Sequence, residues 1–367
     1  MKVLILQQKM IGDVLTSTIL CHNIKAQLPD AQIDYMIHTH TVAVAQHNPY
    51  IDNLLLFDAA LRKNKKALIS YIRKLNKTQY DVIIDVYGKL ETNLITLLCD
   101  ASKKIAYHKW YSSFLYTNTI KRHPKSITGE ALTIEHRLRL LEPLFPEKPL
   151  NTYHVRPQIY LSQEEKDWAA AYLTEHGIDD QQLIMIGILG SGPKKNYPPL
   201  YMAQLLDILA DESEAVLLLN YIPSQKEEVE NILNRCHPKT LQKLRPELFA
   251  PSLRKFLALL SNCKALIGNE GGAVNMAKAL NVPTFSIFSP WIPKEEWSLF
   301  EDHMNQSVHL KEYHPELFEG QKTADLKKHS RQLYDHFVPE LFHSKLSGYL
   351  RELKDQVPEE NSKTEEF

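Results

Sequence analysis

Short runs of apolar residues alternate along this chain with longer segments in which apolar residues recur at helical spacing. Short uninterrupted apolar runs are typical of strands that are buried on both faces of a parallel sheet. In the first half, they predict strands at 3–6, 32–37, 53–57, 82–86 and 104–107. The segments between them predict helices over 14–28, 66–75 and 93–99. This alternation indicates βαβ units.

A proline-rich segment divides the pattern. Residues 142–157 contain Pro143, Pro146, Pro149 and Pro157, and proline interrupts both helices and strand ladders. The alternation then restarts, with strands predicted at 183–188, 215–219, 265–267 and 284–288 and helices beginning near residues 200, 225, 252 and 274. We therefore expect two Rossmann-like α/β domains, 1–150 and 158–330. A C-terminal segment, 331–356, is expected to carry a helix at 332–354 and to precede a flexible acidic tail at 357–367.

Composition narrows the functional classes. The 367 residues are 44% hydrophobic and 24% charged, which suits two folded domains. A formal net charge of -1 gives no molecule-wide field for nucleic acid, so we expect no such partner. Without a signal peptide or a membrane-spanning apolar stretch, a cytoplasmic location is expected, with peripheral membrane contact left open. The widely spaced cysteines favour reduced, buried thiols over a zinc site.

The first candidate site lies where the first predicted strand gives way to a helix, at Gly12 and Asp13. Open parallel sheets bind ligands at the carboxyl ends of their strands. Gly12 lets the backbone approach a ligand closely, and Asp13 lies in the first helical turn, where the dipole favours a carboxylate. Spacing alone leaves two interpretations open, a functional carboxylate or a structural helix cap.

A second candidate follows a predicted strand in the second half, at Gly190-Ser191-Gly192-Pro193-Lys194-Lys195. Small residues expose backbone N–H groups to an anion, and a lysine can pair with phosphate oxygens. The sequence lacks the GK[ST] ending of a Walker A loop, and a basic surface loop is the alternative interpretation.

A third candidate, at another strand-to-helix junction, contains Asn269, Glu270, Gly271, Gly272 and Asn275. Two glycines at a helix N-terminus present unpaired amides and a favourable dipole to an anion. A carboxylate is poorly matched to phosphate, so Glu270 is expected to contact sugar hydroxyls. The alternative is a glycine turn that packs a helix against a strand.

Taken in order, these segments resemble one known family. The I-G-D-V-L sequence at Asp13, a K-x-[WY]-P pattern at Lys195 and the N-E-G-G-x-x-N-x-A-x-A-L segment are similar to the family-9 glycosyltransferases, the lipopolysaccharide heptosyltransferases. The resemblance covers roughly residues 1–300. It implies a GT-B fold, in which two Rossmann-like domains with parallel sheets face a central cleft and a C-terminal helix packs back across both domains. It also implies inverting transfer of a heptose or related sugar from an ADP-sugar to the inner core of lipopolysaccharide.

The resemblance also implies residue roles. Asp13 would be the general base, and Lys195 would hold the donor diphosphate. The other donor-binding positions would be Gly12, Gly190, Ser191, Asn269, Glu270, Gly271, Gly272 and Asn275. The family usually has Asp where this chain has Glu270, and His where it has Asn275. The scheme requires no metal and no cofactor beyond the ADP-sugar co-substrate.

Basic residues are concentrated in the first predicted domain. An anionic glycolipid, such as the lipid A and Kdo core, would be attracted to them at the cytoplasmic face of the inner membrane. The resemblance favours this domain for the acceptor, and the candidate acceptor-binding residues are Lys63, Lys66, Gly88, Lys89, His108, Lys109 and Arg122. Solvated helix faces are the alternative interpretation of such charge runs.

Two other functional classes compete with this one. A relative that binds a nucleotide sugar or glycolipid, with lost or altered transfer activity, is suggested by Glu270 and Asn275. The presence of Asp13 and Lys195 argues against it. An NAD-dependent oxidoreductase is disfavoured because no GxGxxG sequence follows the first predicted strand.

Overall fold

The computed structural model describes residues 1–355, which form two compact units. The first unit comprises residues 1–167 and 295–300, and the second comprises 168–294 and the residues from 301 onward. The proline-rich segment 142–157 divides the two predicted domains, and its prolines predict an interdomain linker, but it belongs to the first unit. Paired hydrogen bonds of 2.8 Å hold it there, because the Asn23 amide bonds the backbone N–H and carbonyl of His154.

The first unit is a parallel sheet with helices. Its strands are β1 (Lys2–Leu6), β2 (Gln32–His38), β3 (Asn53–Phe57), β4 (Val82–Asp85), β5 (Lys103–Tyr107) and β6 (Asn118–Ile120). Its helices are α1 (Ile11–Gln27), α2 (Ala59–Lys63), α3 (Lys65–Asn76), α4 (Leu90–Leu98), α5 (Leu132–Arg139) and the beginning of α6 (Gln163–Glu175). The strand order is β3-β2-β1-β4-β5-β6, and all neighbouring strands are parallel.

The central strands are apolar because both of their faces are buried. Residues 3–6 of β1 are completely buried, and so are Ile83 and Ile84 of β4. Helix α3 contributes Leu68 and Ile72 to the core that includes these strands. The strand order reverses direction between β1 and β4, so the loops after these two strands border one crevice. Open α/β sheets bind ligands at this switch point.

The second unit repeats this plan. Its strands are β7 (Leu183–Gly187), β8 (Val216–Leu219), β9 (Leu244–Arg245), β10 (Ala265–Asn269), β11 (Thr284–Ile287) and β12 (Asn305–Val308). Its helices are α7 (Pro199–Glu212), α8 (Lys226–Leu233), α9 (Pro238–Lys243), α10 (Leu253–Leu260), α11 (Gly272–Ala279), α12 (Lys294–Trp297), which continues into the first unit, α13 (Thr323–Lys328), α14 (Ser330–Asp335) and α15 (His343–Asp355). The parallel strand order, β12-β11-β10-β7-β8-β9, puts the switch point between β7 and β10.

The C-terminal helix that we predicted at 332–354 is interrupted. Helix α14 ends at Asp335, a 3-10 turn covers Pro339–Leu341, and α15 then begins at His343. Proline lacks the N–H group that a helix interior needs and clashes with the preceding turn, so Pro339 breaks the helix. Helix α15 packs on the core of the second unit through Leu346 and Leu350. The acidic tail predicted at 357–367 lies outside the described residues.

Two glycines lie side by side where β7 and β10 pair. Gly187 is in register with Gly268, whose φ is +137°. A Cβ atom on Gly268 would lie 2.4 Å from the carbonyl oxygen of Gly187, so no side chain fits. Only glycine allows this approach of the two backbones at the switch point.

Gly268→Ala is expected to destabilise the protein by about 1–3 kcal/mol, because one of the two strands must shift. Gly348→Ala is the matched control, since a Cβ atom there, in α15, would meet nothing within 4 Å. Alanine in that helix is expected to be neutral or stabilising. Chemical denaturation of both variants tests this, and equal midpoints would contradict the argument.

Candidate functional site

An open cavity of about 650 Å³ lies at the switch point of the first unit. Its walls come from the loops after β1, β4 and β6, from the end of β5, from α1 and α5, and from residues 296–297 of the same unit. The cationic side chains on these walls are Lys9, Lys89, Arg122 and Arg137, and the carboxylates are Asp13 and Glu296. This excess of positive charge suits an anionic ligand.

Asp13 lies in the first turn of α1 and reaches this cavity. Its Oδ1 accepts a hydrogen bond from Nη2 of Arg137 at 2.8 Å, and its Oδ2 accepts one from the backbone N–H of Met10 at 3.3 Å. The Asp13 side chain is 31% exposed, whereas the Arg137 side chain is 7% exposed. The carboxylate therefore meets the geometric requirements of both interpretations, because it caps the helix and is accessible to a ligand.

Arg137 holds the Asp13 carboxylate in place. Its Nε donates to the Ser17 hydroxyl at 2.9 Å, and its Nη1 donates to the carbonyl of Thr133 at 2.7 Å. A planar guanidinium with this many partners fixes the direction of its remaining N–H groups. Our sequence interpretation missed this residue. The sequence offered one signal for it: an arginine three residues after Ile134, and therefore on the buried face of α5.

His136 adds a titratable group to the same cavity. Burial lowers its pKa, and the positive charge of nearby Arg122 lowers it further. The ring packs edge-on against Tyr107, with 6.5 Å between ring centroids. The imidazole is therefore neutral near pH 7.

We expect the stability of the protein to fall as the pH decreases below about 6.5, the ordinary pKa of histidine. In that range the unfolded chain binds a proton at His136 and the folded protein does not, so stability rises with pH. His136→Gln is expected to lessen this loss. Denaturation midpoints measured from pH 8 to pH 5 test the prediction, and curves for the two proteins that stay parallel would contradict it.

The structure brings together only some of the predicted acceptor-binding residues. Lys89 and Arg122 line the cavity with Asp13. Gly88 and Lys109 adjoin Lys89, because Nζ of Lys109 donates to the carbonyl of Gly88 at 2.6 Å. The predicted residues that are not part of the lining are Lys63, Lys66, Gly88, His108 and Lys109. Lys63 and Lys66 are exposed on α2 and α3, so charge runs in the sequence did not show which side chains reach the cavity.

At the switch point of the second unit, Lys195 meets Glu270. The loop after β7 carries Lys195, the turn after β10 carries Glu270, and 3.1 Å separates Nζ from Oε1. Nζ of Lys195 also lies 5.6 Å from the centroid of the Trp291 ring, and Nζ of Lys327 lies 4.6 Å from it. Gly271 and Gly272 then begin α11, so unpaired amides lie next to this pair. Lys327 is a cation of this site that sequence reasoning missed.

Asn269 braces the loop that carries Lys195. Its side-chain amide donates to the carbonyls of Gly187 and Ile188 at 2.9 and 3.0 Å, and its Oδ1 accepts from the backbone N–H of Tyr197 at 2.7 Å. With its side chain buried and used in this way, Asn269 supports the site instead of facing a ligand.

The other predicted donor-binding residues differ in their surroundings and in their exposure to solvent. Gly190 allows a tight loop, since a Cβ atom there would lie 2.5 Å from the carbonyl oxygen of Lys195. Ser191 and Gly272 are exposed, and Asn275 is partly exposed on α11. Gly12 lies beside Asp13 in the first unit.

A smaller cavity of about 260 Å³ lies beyond the carboxyl end of β8, in the second unit. Its lining is mostly apolar and includes Tyr221, Leu248, Phe249 and Phe256. The rings of Tyr221 and Phe249 lie 5.9 Å apart. Such a surface suits a flat aromatic ligand. We did not predict this cavity, although Tyr221, two residues after the end of β8, was an available signal in the sequence.

Three further features of residues 1–355 concern the cysteines, groups of possible metal ligands, and the apolar character of the helices. Cys21, Cys99, Cys236 and Cys263 are free, and all except Cys236 are buried, as predicted. In the described part of the chain, no three His, Cys, Asp or Glu side chains are grouped so that they could hold a metal ion. None of the helices within this range has the length and apolar character needed to cross a membrane.

Comparison with known proteins gives the class and the family. The E. coli ADP-heptose lps heptosyltransferase II superposes with a TM-score of 0.69 at 18% identity, over 96% of this chain and 100% of that one. E. coli heptosyltransferase WaaC with ADP-2-deoxy-2-fluoro heptose gives 0.62 at 16% identity, over 92% and 100%. The protein therefore has the GT-B fold. The model for glycosyltransferase family 9 (heptosyltransferase) matches residues 68–327, more than half of the sequence, and the chain belongs to this family.

Curated relatives are consistent with this assignment. Lipopolysaccharide heptosyltransferase 3 of Escherichia coli is 24% identical over 289 residues, which cover 76% of this chain and 80% of the relative. The expected fold and family are thus confirmed.

Proposed function

We propose that this chain transfers a heptose or a related sugar from an ADP-sugar to the inner core of lipopolysaccharide, with inversion at the anomeric carbon. The observation that carries the proposal is the accessible Asp13 carboxylate in a cationic cavity. An acceptor hydroxyl loses its proton as it attacks, and a carboxylate within about 3 Å can accept it. Lys89 and Arg122 would balance the negative charge of a phosphorylated acceptor.

The second unit would hold the donor. The leaving ADP gains negative charge as the glycosidic bond breaks, and Lys195, Lys327 and the amides at the start of α11 would stabilise it. The diphosphate would compete with Glu270 for Lys195 and leave that carboxylate to accept hydrogen bonds from sugar hydroxyls. The apolar cavity beside Tyr221 suits the faces of an adenine ring. The scheme requires no metal ion.

Protection against thermal unfolding by a panel of nucleotides tests the donor. A ligand that binds only the folded state stabilises it by about 2.7 kcal/mol at 100 times its Kd. ADP and ADP-heptose are expected to protect, whereas UDP, GDP and NAD are not. Protection by a UDP- or GDP-sugar alone would reject the ADP-sugar assignment and leave the family assignment intact.

A binding protein without transfer activity is the second candidate. The Lys195–Glu270 ion pair favours it, because a Lys195 that stays paired with Glu270 would not stabilise the charge that develops on the leaving diphosphate. The two candidates differ in turnover. Release of ADP from ADP-heptose that depends on added acceptor supports the transferase, and saturable ADP-heptose binding without any release supports the binding protein.

A further inference from the structure

An exposed apolar and aromatic surface lies on the first unit, and we define it as the aromatic patch, formed by Leu90, Leu97, Trp110, Tyr111 and Phe114. Trp110, Leu90 and Phe114 are 85%, 81% and 80% exposed. Single exposed apolar residues are common on proteins, but a contiguous group of large ones marks an interaction surface.

Two neighbouring segments build the aromatic patch. Leu90, Leu94 and Leu97 recur at i, i+4 and i+7, so they form one stripe along α4. The loop after β5 carries Tyr111 and Phe114, and these two side chains line a cavity of about 410 Å³ together with the leucine stripe of α4. The rings of Trp110 and Tyr111 meet edge to face, with 5.7 Å between centroids. The patch is therefore a structured surface.

Cations border the aromatic patch and connect it with the candidate site. Lys89 lines both the patch cavity and the larger cavity that contains Asp13. Lys109 is tied to the adjoining Gly88 carbonyl. Burial lowers the pKa of Lys109 most, and the positive charges of Lys89 and Arg122 lower it further. The buried Asp85 carboxylate opposes these effects. Lys89 and Lys109 thus place positive charge at the edge of the aromatic patch, where it would attract an anionic surface.

We propose that the aromatic patch docks the first unit onto an anionic lipid bilayer, with Trp110 and Phe114 in the headgroup region and Lys89 and Lys109 against lipid phosphates. Tryptophan prefers this depth because its ring is apolar and carries a polar N–H group, and phenylalanine adds apolar surface that is buried at the interface. Basic residues beside an apolar surface add electrostatic attraction to anionic lipids. This docking rests on the proposed function, because it would bring the first unit to the bilayer in which a membrane-anchored acceptor lies.

The test is flotation of the full chain, without nucleotide sugar, with vesicles of phosphatidylcholine alone or mixed with phosphatidylglycerol. We expect binding to the mixed vesicles that weakens as salt is raised. The double variant Trp110→Ser/Phe114→Ser is expected to lose at least about tenfold in vesicle affinity, since each substitution removes an aromatic ring that would be buried in the bilayer. The control is Leu200→Ser/Leu241→Ser, which removes two exposed leucines of the second unit and is expected to bind like the unchanged protein.

Three results would overturn the docking proposal. The unchanged protein could fail to float with the mixed vesicles, or the aromatic double variant could float equally well. Sedimentation could instead show a dimer that this variant converts to a monomer, in which case a second copy covers the patch.

Flotation does not depend on sugar transfer, so the two proposals can fail separately. Flotation without transfer would reject the transferase alone. Transfer to a lipid-free core oligosaccharide without flotation would reject the docking surface alone.

Discussion

Asp13→Ala is expected to lower kcat for sugar transfer by about 10²–10⁴-fold, the usual contribution of a positioned general base. The variant removes the carboxylate that Arg137 directs at the cavity. Because we assign the nucleotide to the second unit, ADP affinity should change little. Steady-state rates of ADP release with saturating acceptor, together with ADP binding, measure the two effects separately.

Asp58→Ala is the matched control for this prediction. Asp58 caps α2, accepting from the backbone N–H of Leu61 at 2.8 Å, but it does not line the cavity. Its loss should cost about 1 kcal/mol of stability, as for other helix caps, and leave kcat unchanged. Removing Asp13 also leaves the Arg137 charge unpaired, so thermal unfolding must confirm that the variant is folded at the assay temperature. If both variants lose stability and retain kcat, Asp13 is only a cap.

Lys195→Met is expected to lower kcat/KM for the donor by about 10²–10³-fold, the scale seen when one preorganised donor to developing negative charge is removed. Methionine keeps much of the length of the side chain and removes its charge. The remaining cation beside the Trp291 ring, Lys327, is expected to retain some ADP affinity. Kinetics at varied donor concentration and calorimetric titration with ADP test these effects.

Lys328→Ala is the matched control for Lys195→Met. Lys328 follows Lys327 at the end of α13 and is exposed. Its removal is expected to leave both the kinetics and ADP binding unchanged. If Lys195→Met binds ADP as tightly as the unchanged protein, Lys195 serves only as the ion-pair partner of Glu270, and the diphosphate assignment fails.

The strands were predictable where burial determines the sequence. The apolar runs at 3–6, 32–37 and 82–86 correspond to β1, β2 and β4, which need apolar residues on both faces. The edge strands β6, β9 and β12 were missed. β6 is only partly buried, β9 has two residues, and β12 carries Asn305 and Gln306, so none of them forms a continuous apolar run.

The site was predictable only as far as local sequence determines it. Asp13, Lys195 and Glu270 follow strands closely, so their place at the switch points follows from the order of elements. Arg137 lies 124 positions from Asp13, and only tertiary packing brings the two together. Lys327 reaches Trp291 in the same way, through folding of distant segments.

The segment 295–300 determines how chimeras between family members must be designed. The chain leaves the second unit after Lys294, contributes six residues to the first, and returns at Glu301. Trp297 on this segment lines the cavity that holds Asp13, and Arg156 lies over the Phe300 ring at 5.1 Å. A chimera joined once near residue 167 would therefore combine one parent's cavity with the other parent's Trp297. A faithful exchange of the first unit needs three junctions, at 167, 294 and 300.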